Sequence, residues 1–183
     1  NVNHWVVSLL LSGTTLYVGG NFTKVNGVVT TRNYLAAFDT TTSTVTSFNP
    51  NLDDAPYILY LSGSTLYVGG NFTTVNGGTT RNYLAAFDTS TGTATSFNPS
   101  LNNVPNALAL SGSTLYVGGI FNVVNGATPR SKVAAFDTST GTATSFNPNV
   151  DGNVYAFVLS GTILYLGGQF TNVNGSTNRN YLA

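Results

Sequence analysis

Four copies of one unit of about fifty residues make up the sequence, the fourth shorter than the others. Leu16-Tyr17-Val18-Gly19-Gly20 returns from Leu66 to Gly70, from Leu115 to Gly119 and as Leu164-Tyr165-Leu166-Gly167-Gly168. The glycine pairs therefore lie 50, 49 and 49 residues apart. A period of this length marks a repeat architecture in which each unit buries its apolar faces against its neighbours. Phe48-Asn49-Pro50 likewise recurs as Phe97 to Pro99 and Phe146 to Pro148, dividing one repeat domain into residues 1–50, 51–99, 100–148 and 149–183.

The second repeat shows what each unit contains. Tyr57 to Leu61 is a short β-rich run, Ser62-Gly63-Ser64 is a turn, and Thr65 to Val68 is a second strand, which together predict a hairpin. Gly69-Gly70 ends it, and Asn71 to Arg81, rich in Thr, Asn and Gly, is expected to be the long loop. Tyr83 to Asp88 is the third strand. Asp88 to Gly92 is a turn in which Asp can bond its own backbone and Gly can take a positive φ. Thr93 to Phe97 is the fourth strand, stopped by Asn98-Pro99.

Four antiparallel strands in about 49 residues, with no segment of helical period, is the content of one β-propeller blade. The predicted fold is all-β: three full blades and a truncated fourth, part of a larger propeller. Ala107 to Leu110 is apolar on both faces, as a strand packed between neighbouring blades requires. Gly69-Gly70 and Ala85-Ala86 are small enough to let blades approach closely. A linear β-solenoid also uses repeats, but its coils are usually shorter, roughly 20 to 30 residues.

Leu-Tyr-Val-Gly-Gly, a loop, and then Ala-Ala-Phe-Asp-Thr-Ser-Thr-Gly-Thr-Ala-Thr-Ser-Phe-Asn-Pro resembles a kelch-type blade. In such a blade a diglycine closes the second strand and an aromatic-Asp turn precedes the fourth. The sequence more closely resembles the delta-60-type β-propeller repeats of bacterial surface and secreted proteins, and more loosely the propeller of fungal cell-cortex polarity proteins. The resemblance covers all four repeats. It implies the blade and leaves the activity open, because one fold serves many functions.

Set against the other repeats, the fourth lacks the end of its third strand and all of its fourth, roughly fourteen residues. A closed four-bladed ring would carry an open strand edge. The expectation is that the chain is a segment of a longer polypeptide with more blades; the alternative is completion by neighbouring copies through strand edges.

Only 7% of residues are charged, and six basic residues balance six acidic ones. That leaves no basic footprint for nucleic acid and no amphipathic basic segment for a membrane surface. The longest apolar runs fall short of the roughly 18 residues of a membrane span. There is no cysteine, hence neither disulfide nor thiolate metal site. A surface hydrated by hydroxyls and amides points to an extracellular or cell-surface protein.

Arg32, Arg81, Arg130 and Arg179 fall at one position of the repeat, and Asp39, Asp88 and Asp137 at another. Such groups are expected to cap carbonyls, pair with each other or hold turns. Residues that break the symmetry are better binding candidates. His4 and Trp5 stand where later repeats have Asp54-Ala55, Asn103-Val104 and Gly152-Asn153, and could stack on a sugar. Asp53, Asp54 and Asp151 are oxygen-rich loop positions and weak candidates for Ca²⁺, although their spacing matches no EF-hand. Asn21-Phe22-Thr23, Asn71-Phe72-Thr73 and Asn174-Gly175-Ser176 fit the glycan-acceptor pattern.

One His, no Cys and no Glu supply no evident nucleophile with a base, no carboxylate dyad and no zinc set. The related copper-radical oxidases need a Cys, and sialidase propellers need an Arg triad and Asp-box turns not found here. No cofactor is expected. The expected function is a non-enzymatic structural or adhesive module that meets proteins or matrix through Thr/Asn-rich loops. A first alternative is a lectin-like propeller with one shallow site per blade, built on Asn21, Thr23, Asn71 and Thr73, where weak sites add by multivalency. A second is a filament or coat subunit joined through strand edges.

Overall fold

The computed structural model describes residues 1–27 and 30–183. All regular structure among them is β, with no helix. The chain divides into two compact units, Asn1–Thr95 and Ser96–Ala183.

In the first unit, Val6–Ser12, Thr15–Gly20, Leu35–Asp39 and Thr44–Val45 form one antiparallel sheet in that order. Pro56–Ser62, Thr65–Gly70 and Leu84–Asp88 form the next. The second unit repeats the pattern with Pro105–Ser111, Thr114–Gly119 and Val133–Asp137, and then with Val154–Ser160 and Ile163–Gly168. Leu182 adds a single bridge to Gly167. Alternating β-branched and aromatic residues favour strands, and the Ser-Gly turns close the hairpins with Gly13, Gly63, Gly112 and Gly161 at φ between +54° and +58°.

Each first strand carries a bulge, after Val6, Pro56, Pro105 and Val154. Opposite it lies the second glycine of the diglycine. A Cβ on Gly20, Gly70, Gly119 or Gly168 would fall within 2.5 Å of the carbonyl oxygen of Trp5, Ala55, Val104 or Asn153, respectively. The first glycine serves packing between sheets: a Cβ on Gly19 would meet the Pro56 ring at 2.7 Å, and one on Gly118 would meet the Phe157 ring at 2.6 Å.

The structure departs from the sequence expectation in two places. The predicted fourth strand is a two-residue strand in the first repeat and only a single bridge in the next two, Phe87 to Ala94 and Phe136 to Ala143. After the Thr95 N–H donates to the Ala86 carbonyl at 2.8 Å, the Thr95 carbonyl turns to Arg81, whose Nη2 donates to it at 2.7 Å. An arginine side chain thus takes the place of further ladder. The predicted long loop, in turn, contains a small hairpin, Thr74–Val75 with Thr79–Thr80, and the other three repeats have its counterpart. Asn76-Gly77 opens its turn at φ +48° and +76°, the left-handed pair that Asn-Gly adopts readily.

One part of the core lies between successive sheets, and another, Val18, Phe22, Val25 and Ala36, packs within the first repeat. In the first unit Tyr17, Ala37 and Phe48 pack with Leu66, Val68 and Phe87 of the following repeat, all buried. Phe48, from the Phe-Asn-Pro segment, meets Tyr17 edge-on at 5.4 Å. In the second unit Val133 and Val150 pack with Val154, Leu166 and Phe170. Phe22, Phe72, Phe121 and Phe170, which follow the diglycines, are core residues too.

Gly70→Ala should destabilise by about 3 kcal/mol or more, since its Cβ would meet rigid backbone. Gly63→Ala, at φ +55° with open space around it, should cost only about 1 kcal/mol. Urea midpoints of the two variants check the ranking.

Candidate functional site

Residues that look independent in the sequence meet at one place on each repeat, where the segment entering the first strand crosses the end of the second. In the first repeat, Asn3 Oδ1 accepts from the Thr23 and Lys24 N–H groups, both at 2.9 Å. In the second, Asp53 Oδ1 accepts from the Thr73 and Thr74 N–H groups at 2.8 and 3.0 Å, and Oδ2 accepts from the Thr73 hydroxyl at 2.7 Å. Asn102 accepts from the Asn122 and Val123 N–H groups at 2.9 and 3.0 Å. Asp151 binds Thr171 and Asn172 in the same way, at 2.8 and 2.9 Å. The chain separation is 20 residues to the first donor in every repeat. This clamp was missed in the sequence because Asn and Asp alternate at its head, although the constant spacing carries the signal.

The sequence candidates sit around the clamp. Asn21 and Asn71 are exposed, and their N–H groups donate to the Trp5 and Ala55 carbonyls, both at 2.9 Å. Thr23 is half-buried and Thr73 exposed, each bound by the clamp through its N–H. His4 and Trp5 are exposed with ring centroids 5.0 Å apart, and Trp5 is 73% exposed. Since the Trp5 carbonyl holds Asn21, the first repeat gathers His4, Trp5, Asn21 and Thr23 in one patch. The second gathers Asp53, Asp54, Asn71 and Thr73 instead, with Asp54 accepting from its neighbour Ala55 at 2.7 Å.

Asp53 and Asp151 each receive three or more hydrogen bonds, so a Ca²⁺ ion there would have to displace N–H and O–H donors already in place. No group of three or more metal-ligating His, Cys, Asp or Glu occurs among the described residues. Burial alone would raise the Asp53 carboxyl, but the Thr74 and Thr73 donors outweigh it and hold it below the usual carboxylate range. Asp151 is held far lower, first by the Asn172 N–H and then by the Thr171 hydroxyl.

Two further devices repeat. Arg32, Arg81 and Arg130 each fork from the neighbouring carbonyl, at 2.8 to 2.9 Å, to the carbonyl of Thr46, Thr95 or Thr144, at 2.7 to 2.8 Å. Arg179 Nη1 donates to the Asn178 carbonyl at 2.8 Å. Asp39, Asp88 and Asp137 hold their turns, each accepting from the N–H groups two and three residues on. The Thr41, Ser90 and Ser139 hydroxyls respectively do most to lower these carboxyls. Exposed around the clamp are Asn21, Asn71 and the His4–Trp5 ring pair, groups fit for hydrogen bonding and stacking with a polar partner.

Asp53→Asn should retain the clamp, as Asn3 and Asn102 do, whereas Asp53→Ala should cost about 1 to 2 kcal/mol by orphaning the Thr73 and Thr74 N–H groups; urea denaturation separates the two. Since Asp39, Asp53, Asp88, Asp137 and Asp151 are all depressed in the folded state, their stabilisation is complete above the unfolded carboxylate value. The urea midpoint should therefore stay level from neutral pH to about 5 and fall below about 4. Replacing Asp39, Asp88 and Asp137 together by Asn should flatten that fall.

No protein-family model and no curated protein sequence matches this chain. Among solved structures, the computationally designed Ika4 protein superposes with a TM-score of 0.62 at 14% identity, over 90% of this chain and 86% of that one. The computationally designed Ika8 protein gives 0.62 at 14% identity over 92% of this chain, which spans 44% of Ika8. The N-terminal domain of Nup159 gives 0.45 at 15% identity, over 88% of this chain and 38% of that one. The fold that this chain shares with the two designed proteins is all-β.

Proposed function

We propose that the chain is a kelch-like or delta-60-type β-propeller segment, a non-enzymatic structural and adhesive module of an exported protein that meets proteins or matrix at the cell surface. The observation that carries this reading is the recurrence of the Asn/Asp clamp in all four repeats. A catalytic site breaks the symmetry of a repeat, whereas these polar groups follow it and hold loops in place. The sheets support the blade assignment: each is bulged at the same place, and in the first unit one sheet packs face to face on the next.

A second reading, a glycan-binding propeller, is favoured by one feature. Trp5 is 73% exposed beside His4, and its carbonyl holds Asn21, so an aromatic face and a free amide lie together.

Binding to immobilised collagen and fibronectin, measured alongside a glycan array, tests both. The adhesive reading expects protein binding that survives deglycosylation of the target and the Trp5→Ala substitution. Array binding lost in Trp5→Ala, with no binding to deglycosylated protein, would overturn it in favour of the second reading.

A further inference from the structure

We infer that Tyr155, Gln169 and Asn153 form a binding site for one neutral hexopyranose ring, with the face of Tyr155 stacking on the sugar and the two amides bonding its hydroxyls. The inference deepens the glycan-binding reading, on which it rests, and places the site in the fourth repeat instead of the first.

The bulge decides where such a site can lie. It leaves one residue of each first strand outside the ladder: Val7, Tyr57, Asn106 and Tyr155. A bulge re-aims the side chain it carries. Tyr57 is 42% exposed and Tyr155 46%, so the exposure recurs in two repeats and belongs to the position. The residue that follows the diglycine, Asn21, Asn71, Ile120 or Gln169, donates its N–H to the carbonyl two residues before the bulge. That crossing brings the two positions together in every repeat.

The four pairs differ in chemistry. The first repeat has Val7 at the bulge, which gives Asn21 no ring beside it there. The third pairs Asn106 with Ile120, and Asn106 Nδ2 donates to the Val154 carbonyl at 3.5 Å. The second pairs Tyr57 with Asn71, a ring with an amide one methylene shorter than that of Gln169. In the fourth, the Tyr155 hydroxyl donates to Gln169 Oε1 at 2.7 Å and accepts from Asn153 Nδ2 at 3.4 Å. The ring and both amides are thus held before any ligand arrives, which lowers the cost of ordering them on binding.

These bonds also decide what is left for a ligand. With Oε1 engaged by the phenol, exposed Gln169 keeps its Nε2 donors; with Nδ2 engaged, Asn153 keeps Oδ1 as an acceptor. A donor and an acceptor beside an exposed ring match a pyranose, whose neighbouring hydroxyls both accept and donate and whose C–H face stacks on an aromatic ring. All three side chains are uncharged at neutral pH, which selects a neutral hexose over an acidic sugar.

Glycan-array binding by the purified chain, followed by titration with the methyl glycoside of the best-bound hexose, tests this. Wild type should bind neutral glycans. Tyr155→Ala should weaken that binding at least about tenfold and Gln169→Ala roughly three- to tenfold. Tyr155→Phe, which keeps the ring, should lose less than Tyr155→Ala, and Trp5→Ala should bind as wild type does. Unchanged circular dichroism in each variant separates loss of the site from loss of the fold. Binding lost in Trp5→Ala but kept in Tyr155→Ala would overturn this site and leave the glycan-binding reading standing on the first repeat. A wild type that binds nothing on the array would overturn both, and matrix binding that survives deglycosylation would then still support the adhesive reading.

Discussion

Two backbones crossing at less than side-chain distance set the geometry of every repeat. The carbonyl of Trp5, Ala55, Val104 or Asn153 occupies the space that a Cβ on the second glycine would need. This crossing forces the bulge in the first strand and lets the N–H that follows the diglycine reach that same carbonyl, at 2.7 to 3.0 Å in all four repeats. With the first strand fixed on the second, both faces of the sheet are set, and so is the direction in which the next sheet is laid down. The Phe two residues beyond the diglycine then turns inward, and its aromatic ring anchors the loop to the core.

On that frame, polar side chains do work that longer strands do elsewhere. The arginine fork, the Asn/Asp clamp and the Asp turn each bind two or more backbone groups that a short, interrupted ladder leaves over. Asn76 and Asn125 act alike, donating to the Gly92 and Gly141 carbonyls and accepting from the Ala94 and Ala143 N–H groups. A chain with so few charges can therefore place Arg32, Arg81 and Arg130 half-buried, because their hydrogen-bond partners are carbonyls of the same repeat. Asn serves as well as Asp at the head of the clamp, since what the position needs is an acceptor oxygen in the right place and not a net charge.

The repeat period, the three main strands and the turns were legible because each rests on local signals: alternation, Ser-Gly and Asp-x-x-x-Gly. The shortness of the fourth strand was not, because Thr93-Ala94-Thr95 begins like any strand, and its end is set by Arg81 reaching across from fourteen residues away. The small hairpin was written plainly in Asn76-Gly77, but two-residue strands lie below the length at which alternation can be seen. For the candidate site, His4, Trp5 and Asn21 could be named one by one, while their meeting in space depends on the bulged crossing, which joins residues sixteen apart without any motif.

Nearly identical repeats in tandem invite a particular error, in which a strand pairs with the counterpart from another copy of itself. The forks and clamps stand against it. They link residues 14 and 20 apart within one repeat, so the loops they close are short and form before any exchange across a period of about 49 residues can compete. Forks in three repeats and clamps in all four tie each repeat to its own register, which favours a single pairing in a chain written almost four times over.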